Sequence, residues 1–154
     1  MSVENRVKLN RIDYSDLYTV NFTSKNSISK EDFLKSLFSS MPKWAKKAMK
    51  IDKQIALAAG GNNANITPGG KFLFFDIISV GEYEIILGGN ENVMSYRLAI
   101  AFINNIDDKY IGVVSTKVLL KNFSGKIYFF FVKPFHKMLM KKICAGAESS
   151  LSGV

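Results

Sequence analysis

His136, the single histidine of the chain, is the side chain best suited to transfer a proton. An imidazole titrates near neutral pH and can act as a general acid or base when a polar partner lies beside it. Tyr96 and Tyr128 are candidates for that partner, and no carboxylate is obviously paired with His136 in the sequence. One alternative is therefore an enzyme that uses His136 as general acid or base.

Nucleophilic, metal and phosphate chemistry have less support. No GxSxG motif occurs, and His136 and Cys144 alone fall short of a zinc ligand set. Cys144 has no second cysteine to pair with, and its apolar surroundings predict a buried, inert thiol. The glycines of residues 62–70 fit neither a dinucleotide fingerprint nor a P-loop. We therefore predict no metal site and no cofactor.

His136 belongs to an apolar segment that predicts a long C-terminal helix, residues 124–144, with Ser124 as its N-cap. At about 100° per residue the lysines share a narrow arc, whereas apolar side chains cover more than half of the circumference. His136 lies inside that apolar sector. A helix of this kind must be covered on most sides, as by a curved sheet. Lysines at 133 and 137 exclude a transmembrane helix.

The preceding residues predict the elements that would hold this helix. Residues 14–22 alternate as a half-buried strand. Ser29 and Asp32 resemble a capping box at the start of a short amphipathic helix, and Pro42 is suited to open a second helix, residues 42–59. Four further strands are predicted at residues 71–80, 82–87, 93–104 and 110–121, and their short connections require antiparallel neighbours.

These elements predict an α+β fold with one domain, residues 1–146, and a flexible tail, residues 147–154. Each strand has one apolar and one mixed face, as in a sheet that is covered on one side. The inner faces of the last two strands and the apolar sector of the helix supply the residues expected to line the space between them: Tyr96, Leu98, Ile100, Phe102, Val114, Thr116, Val118, Phe131, Phe135 and His136.

The net charge of +8 raises the possibility of an anionic partner. Lys43, Lys46, Lys47 and Lys50 could form the basic surface of a partner-binding or membrane-surface module. Their helical spacing favours a solvated face, and the small share of arginine argues against nucleic acid. The charged first residues contain no apolar signal segment, which indicates a cytoplasmic protein.

The order of strand, two helices, antiparallel strands and long C-terminal helix resembles the helix-grip fold of the START-like (SRPBCC) superfamily. That superfamily includes polyketide cyclases and lipid-transfer domains. The resemblance therefore implies that an enzyme using His136 as general acid or base would be of the cyclase or hydratase kind. The second half of the chain also resembles an uncharacterised bacterial branch of it, a domain of unknown function. The matching positions are Thr116, Asn122, Gly125, Tyr128, Pro134, Phe135 and His136. The chain departs from many members in having five predicted strands where they have seven.

The resemblance implies an apolar cavity between the sheet and the C-terminal helix that takes a hydrophobic or amphipathic, lipid-like small molecule. Twelve Phe and six Met supply the large side chains that such an interior needs. The alternative is that these side chains fill the interior as a packed core. For His136 two interpretations stay open, a structural hydrogen bond to the sheet or a ligand-facing role. The sequence does not indicate an oligomeric state.

Overall fold

The computed structural model describes residues 8–49, 66–104 and 107–152. Three helices and six strands follow each other in these ranges: β1 (Tyr14–Thr23), α1 (Lys30–Ser39), α2 (Lys43–Met49), β2 (Lys71–Phe72), β3 (Phe75–Val80), β4 (Glu84–Asn90), β5 (Met94–Asn104), β6 (Lys109–Leu120) and α3 (Phe123–Ser152).

One antiparallel sheet contains all six strands in the order β1-β6-β5-β4-β3-β2. The first strand pairs with the last, with Tyr18 opposite Val114, so residues far apart in the chain share one edge of the sheet. The sheet curves around α3, and α1 and α2 follow the first strand. The predicted α+β, helix-grip-like architecture is confirmed.

Two predicted elements differ from the structure. The strand expected at residues 71–80 is a tight hairpin of β2 and β3, because Leu73 adopts a left-handed conformation (φ 55°) that reverses the chain. The sheet therefore has six strands and not five. The second helix is α2, and the part of its predicted range from residue 50 onward lies outside the described residues.

The helix caps follow ordinary side-chain chemistry. Ser29 and Asp32 form the predicted capping box of α1. Asn122, and not Ser124, caps α3, because its Oδ1 accepts from the Gly125 N–H at 2.9 Å. A side chain at Gly125 would collide with the carbonyl oxygen of Val93, so this glycine lets the helix start close to the β4–β5 turn.

The C-terminal helix extends beyond its predicted end. It continues to Ser152, and Ala147 and Leu151 are buried in the core. Gly146 lies against Ser40, at the end of α1, where an added Cβ would come within 2.7 Å of the Ser40 Cβ. Residues 147–152, expected as a flexible tail, are therefore packed turns of helix.

Aromatic side chains fill one end of the space beneath the sheet. Phe22 and Tyr110 stack with centroids 5.0 Å apart, and Phe102 stacks on Phe33 of α1 at 5.3 Å. Gly112 allows this packing, because a Cβ there would overlap the ring of Phe33. The other end of the interior, under the first half of α3, is packed less completely.

Candidate ligand cavity and its histidine–aspartate pair

A cavity of about 290 Å³ lies between the sheet, α1 and the first half of α3. The inner faces of β5 and β6 form its floor, and Phe129, Val132 and Met140 of α3 contribute to its roof. Phe74 and Tyr128 also line it and are 42% and 51% exposed, which places them where the cavity meets the surface. The lining is mostly apolar, as in sites for hydrophobic small molecules.

His136 projects from α3 into this lining and contacts a carboxylate of the first strand. Its Nε2 lies 3.0 Å from Oδ2 of Asp16. The hydroxyl of Tyr14 donates to the same Oδ2 at 2.8 Å, and the backbone N–H of Thr116 donates to Oδ1 at 3.2 Å. The side chains of Asp16 and His136 are only 10% and 22% exposed.

The pKa values of this cluster follow from burial and hydrogen bonding. Burial by itself would raise the pKa of Asp16, but the hydrogen bonds from His136 and Tyr14 outweigh it and hold that pKa below its ordinary value. The pKa of Tyr14 is raised mainly by burial, and the hydrogen bond to Asp16 raises it further. Asp16 is therefore an anion at neutral pH, and Tyr14 is a neutral donor.

The ionised Asp16 selects one tautomer of the imidazole. A carboxylate only accepts, so Nε2 of His136 carries the proton that faces it. In the neutral ring Nδ1 then keeps a lone pair, and this atom has no hydrogen-bond partner within the described residues. The pair can therefore orient an imidazole that accepts a hydrogen bond or a proton at Nδ1.

The ring of Tyr14 holds this part of the helix against β1. Its centroid lies 5.0 Å from that of Phe129 and 6.1 Å from that of His136. Nζ of Lys133 lies 5.3 Å from the same centroid, in a cation–π arrangement. The first strand thus orients the inner face of α3 through one aromatic ring and one carboxylate.

Comparison with known proteins identifies a family. Residues 8–143 match the sequence profile of a family described as "Protein of unknown function (DUF2867)". The chain belongs to the DUF2867 family. No curated protein matches it. The match covers every described strand and most of α3, so the cavity and the Asp16–His136 pair lie in the DUF2867 domain.

Most of the residues predicted to line a cavity lie on it in this DUF2867 domain. They come from β5, β6 and α3: Tyr96, Leu98, Ile100, Val114, Thr116, Val118 and His136. The hydroxyl of Thr116 is buried and has no hydrogen-bond partner within the described residues. His136 makes the predicted structural bond to the sheet, through Asp16, and also lines the cavity, whereas its ligand-facing role stays a prediction.

The other three predicted lining residues lie elsewhere. Phe102 is part of the aromatic stack with Phe33, at the end of the sheet that α1 closes. Phe131 and Phe135 are 66% and 61% exposed and point away from the sheet. The apolar sector of α3 is wider than its contact with the sheet, and only the face with Phe129, His136 and Met140 turns inward.

Asp16 is the residue that the sequence reasoning missed. A signal was present, because Asp16 falls on the same alternating face of β1 as Tyr18, Val20 and Phe22. A carboxylate on an otherwise apolar strand face needs a donor to offset its burial. The single histidine of the DUF2867 domain, on the apolar sector of the helix, needed an acceptor in turn.

The other residues that the sequence analysis considered for chemistry or binding lie outside the cluster of Tyr14, Asp16 and His136 in the DUF2867 domain. Cys144 is a buried free thiol as predicted, and burial raises its pKa to about 11. Lys43, Lys46 and Lys47 lie on α2, whereas residue 50 lies outside the described residues. Within residues 8–49, 66–104 and 107–152 there is no group of three or more His, Cys, Asp or Glu side chains that could hold a metal ion.

No helix in the described ranges of the DUF2867 domain combines the length and the apolar character that a transmembrane crossing requires. The lysines of the first half of α3 interrupt its apolar residues, as the sequence predicts.

Proposed function

We propose that the protein binds a hydrophobic or amphipathic small molecule in the cavity between the sheet and α3. The observation that carries the proposal is the cavity itself, about 290 Å³ with a mostly apolar lining. This volume is near the lower end of the roughly 300–1,000 Å³ that small-molecule sites occupy, which favours a compact ligand. Nδ1 of His136 would bind one polar group of that ligand, such as a hydroxyl.

We also propose a superfamily relationship and a cellular location for the protein. The residue matches around Pro134, Phe135 and His136 support a START-like relationship, in which such cavities hold apolar molecules. The single cysteine, which has no partner in the sequence for a disulfide, fits the reducing environment of the cytoplasm.

A pair of tryptophan substitutions tests ligand binding. Leu98→Trp places an indole in the cavity, whereas Val113→Trp places one on the opposite face of the sheet, where Val113 pairs with Ala101. We expect native mass spectrometry of wild-type protein to show a copurified apolar molecule, or a fluorescent fatty acid to bind. Leu98→Trp should abolish this binding and Val113→Trp should retain it. Equal binding by both folded variants would contradict the proposal.

Acid–base catalysis is a second candidate, and the Asp16–His136 contact at 3.0 Å favours it. A carboxylate that fixes the imidazole tautomer is the usual support of a histidine base. The reaction class would be proton abstraction next to a carbonyl, as in cyclases and hydratases. Wild-type protein should then catalyse exchange of α-hydrogens in small apolar ketones in D₂O. His136→Gln should abolish the exchange; no exchange by wild-type protein would remove this candidate.

A further inference from the structure

The side of α3 that faces away from the sheet carries large apolar side chains. Four phenylalanines on it, Phe123, Phe130, Phe131 and Phe135, are 75%, 75%, 66% and 61% exposed. Together with the half-exposed Ile127 and Met138 they form what we call the outer face of α3. It extends over 15 residue steps, roughly 22 Å. Monomeric soluble proteins seldom leave so large an apolar surface uncovered.

The charged side chains that residues 123–147 of α3 carry beside the outer face have one sign. Five exposed lysines flank it or follow its last turn: Lys126, Lys133, Lys137, Lys141 and Lys142. No Asp or Glu occurs from residue 123 to residue 147. A second copy of the chain in a twofold contact would bring lysines against lysines with no carboxylate between them. The charge pattern therefore favours an anionic partner.

We propose that the outer face of α3 docks onto the surface of a lipid bilayer with anionic headgroups. Phenylalanines and lysines on one helix are the composition of segments that lie in the membrane interface. The rings would enter the boundary between headgroups and acyl chains, and the lysines would contact phosphates and carboxylates. The apolar surface continues to Tyr128, which is half-exposed and also lines the cavity, so the docked face adjoins the cavity opening.

Sedimentation with vesicles tests the proposal directly. We expect the protein to bind vesicles of phosphatidylcholine with 40% phosphatidylserine at 50 mM salt and to bind pure phosphatidylcholine much less. Binding should weaken at 500 mM salt, because salt screens the lysine contribution. Absence of binding to the anionic vesicles at low salt would overturn the proposal.

Matched substitutions distinguish binding through the outer face from non-specific binding through other exposed apolar side chains. Phe131→Ser with Phe135→Ser should lower the partition coefficient at least about tenfold. The control, Leu17→Ser with Tyr83→Ser, changes side chains that are 62% and 60% exposed elsewhere and should bind like wild type. All four positions are exposed, so melting temperatures should stay close to that of wild type. Equal losses in both variants would overturn the proposal.

A second pair of variants tests the contribution of the α3 lysines to vesicle binding. Lys137→Gln with Lys141→Gln should lower partitioning roughly 25-fold, since each basic residue near an anionic surface contributes about fivefold. Lys109→Gln with Lys117→Gln removes the same charge from exposed positions of β6 and should have a smaller effect. A larger effect of the β6 pair would place the contact on the sheet and overturn the proposal.

A fluorescence measurement distinguishes the bilayer from other covers of the outer face. In a Trp44→Phe background, Phe131→Trp should show a blue shift and quenching by brominated lipid with vesicles, and quenching by acrylamide without them. Protection from acrylamide without vesicles would mean that another segment of the chain covers this face. A concentration-dependent dimer that Phe131→Ser abolishes would assign the face to a second copy. Either result would overturn the proposal.

Discussion

Removal of the imidazole of His136 should reduce the stability of the fold, because Asp16 would lose one of its donors. In His136→Phe the carboxylate keeps only the Tyr14 hydroxyl and the Thr116 N–H. The side chain of Asp16 is 10% exposed, so water replaces the lost bond poorly. Such a loss costs about 1–3 kcal/mol. At about 2–4 °C per kcal/mol for a chain of this size, the melting temperature should fall by roughly 2–12 °C.

The loss of stability in His136→Phe should depend on pH in a defined direction. Burial raises the pKa of Asp16, but the bonds from His136 and Tyr14 lower it more, so the folded pKa lies below the ordinary 3.8. A carboxyl with a lowered folded pKa adds stability above its unfolded pKa and loses it as the pH falls through the folded value. The Asp16 contribution is therefore complete at pH 7 and declines below pH 3.8.

A double-mutant cycle measures this coupling. Urea unfolding of wild type, His136→Phe, Asp16→Asn and the double variant at pH 7, 5 and 3 gives the interaction energy of the pair at each pH. We expect about 1–3 kcal/mol at pH 7 and less at pH 3. The control is the exposed Arg11–Asp13 pair, at 2.9 Å, which should give a clearly smaller coupling because water screens it. A coupling near zero at pH 7 would refute the reasoning.

Three further predictions concern packing and can be measured by urea unfolding. Thr116→Val should leave stability unchanged or raise it by about 1 kcal/mol, because the buried hydroxyl has no hydrogen-bond partner in the part of the chain that the structure describes; a clear loss would contradict this. Gly112→Ala should destabilise by about 1–3 kcal/mol through overlap with Phe33, whereas Gly81→Ala should be nearly neutral. Leu151→Ala should lower the free energy of unfolding by about 2–5 kcal/mol, because Leu151 is buried in the core. An unchanged stability would instead support the flexible tail that the sequence predicts.

The periodicity of the sequence was sufficient to identify the inner face of the sheet. In β5 a period of two places Tyr96, Leu98 and Ile100 on one side, and all three line the cavity. A slip by one residue would expose them, so the alternation specifies the face strongly. The pairing of β1 with β6 is different, because it joins residues about 100 positions apart and local patterns contain no information on it.

The rotation of α3 about its own axis, which decides the side that faces the sheet, could not be predicted in the same way. An amphipathic helix reveals its buried side because the other side is polar. In α3 the apolar residues cover both sides, so hydrophobicity does not distinguish the buried Phe129 from the exposed Phe131, two positions later. The prediction placed Phe131 and Phe135 inside for this reason. The packing of Tyr14 against Phe129 decides this rotation, and it depends on the tertiary pairing of strand and helix.

The buried carboxylate and the exposed aromatic face are two departures from what folding alone favours. Asp16 loses solvation under the helix, where an apolar residue would pack without that loss. Phe130 and Phe131 leave apolar area in water, where lysine or glutamate would solvate the helix. Sequences tend to depart from consistent folding rules at functional sites. Both departures lie beside the cavity, because Asp16 of β1 bonds to His136 in the first half of α3, and Phe130 and Phe131 belong to that same half. The two departures therefore fall on the two faces of α3 for which we propose binding, the inner face with His136 for a small molecule and the outer face with Phe131 for a bilayer.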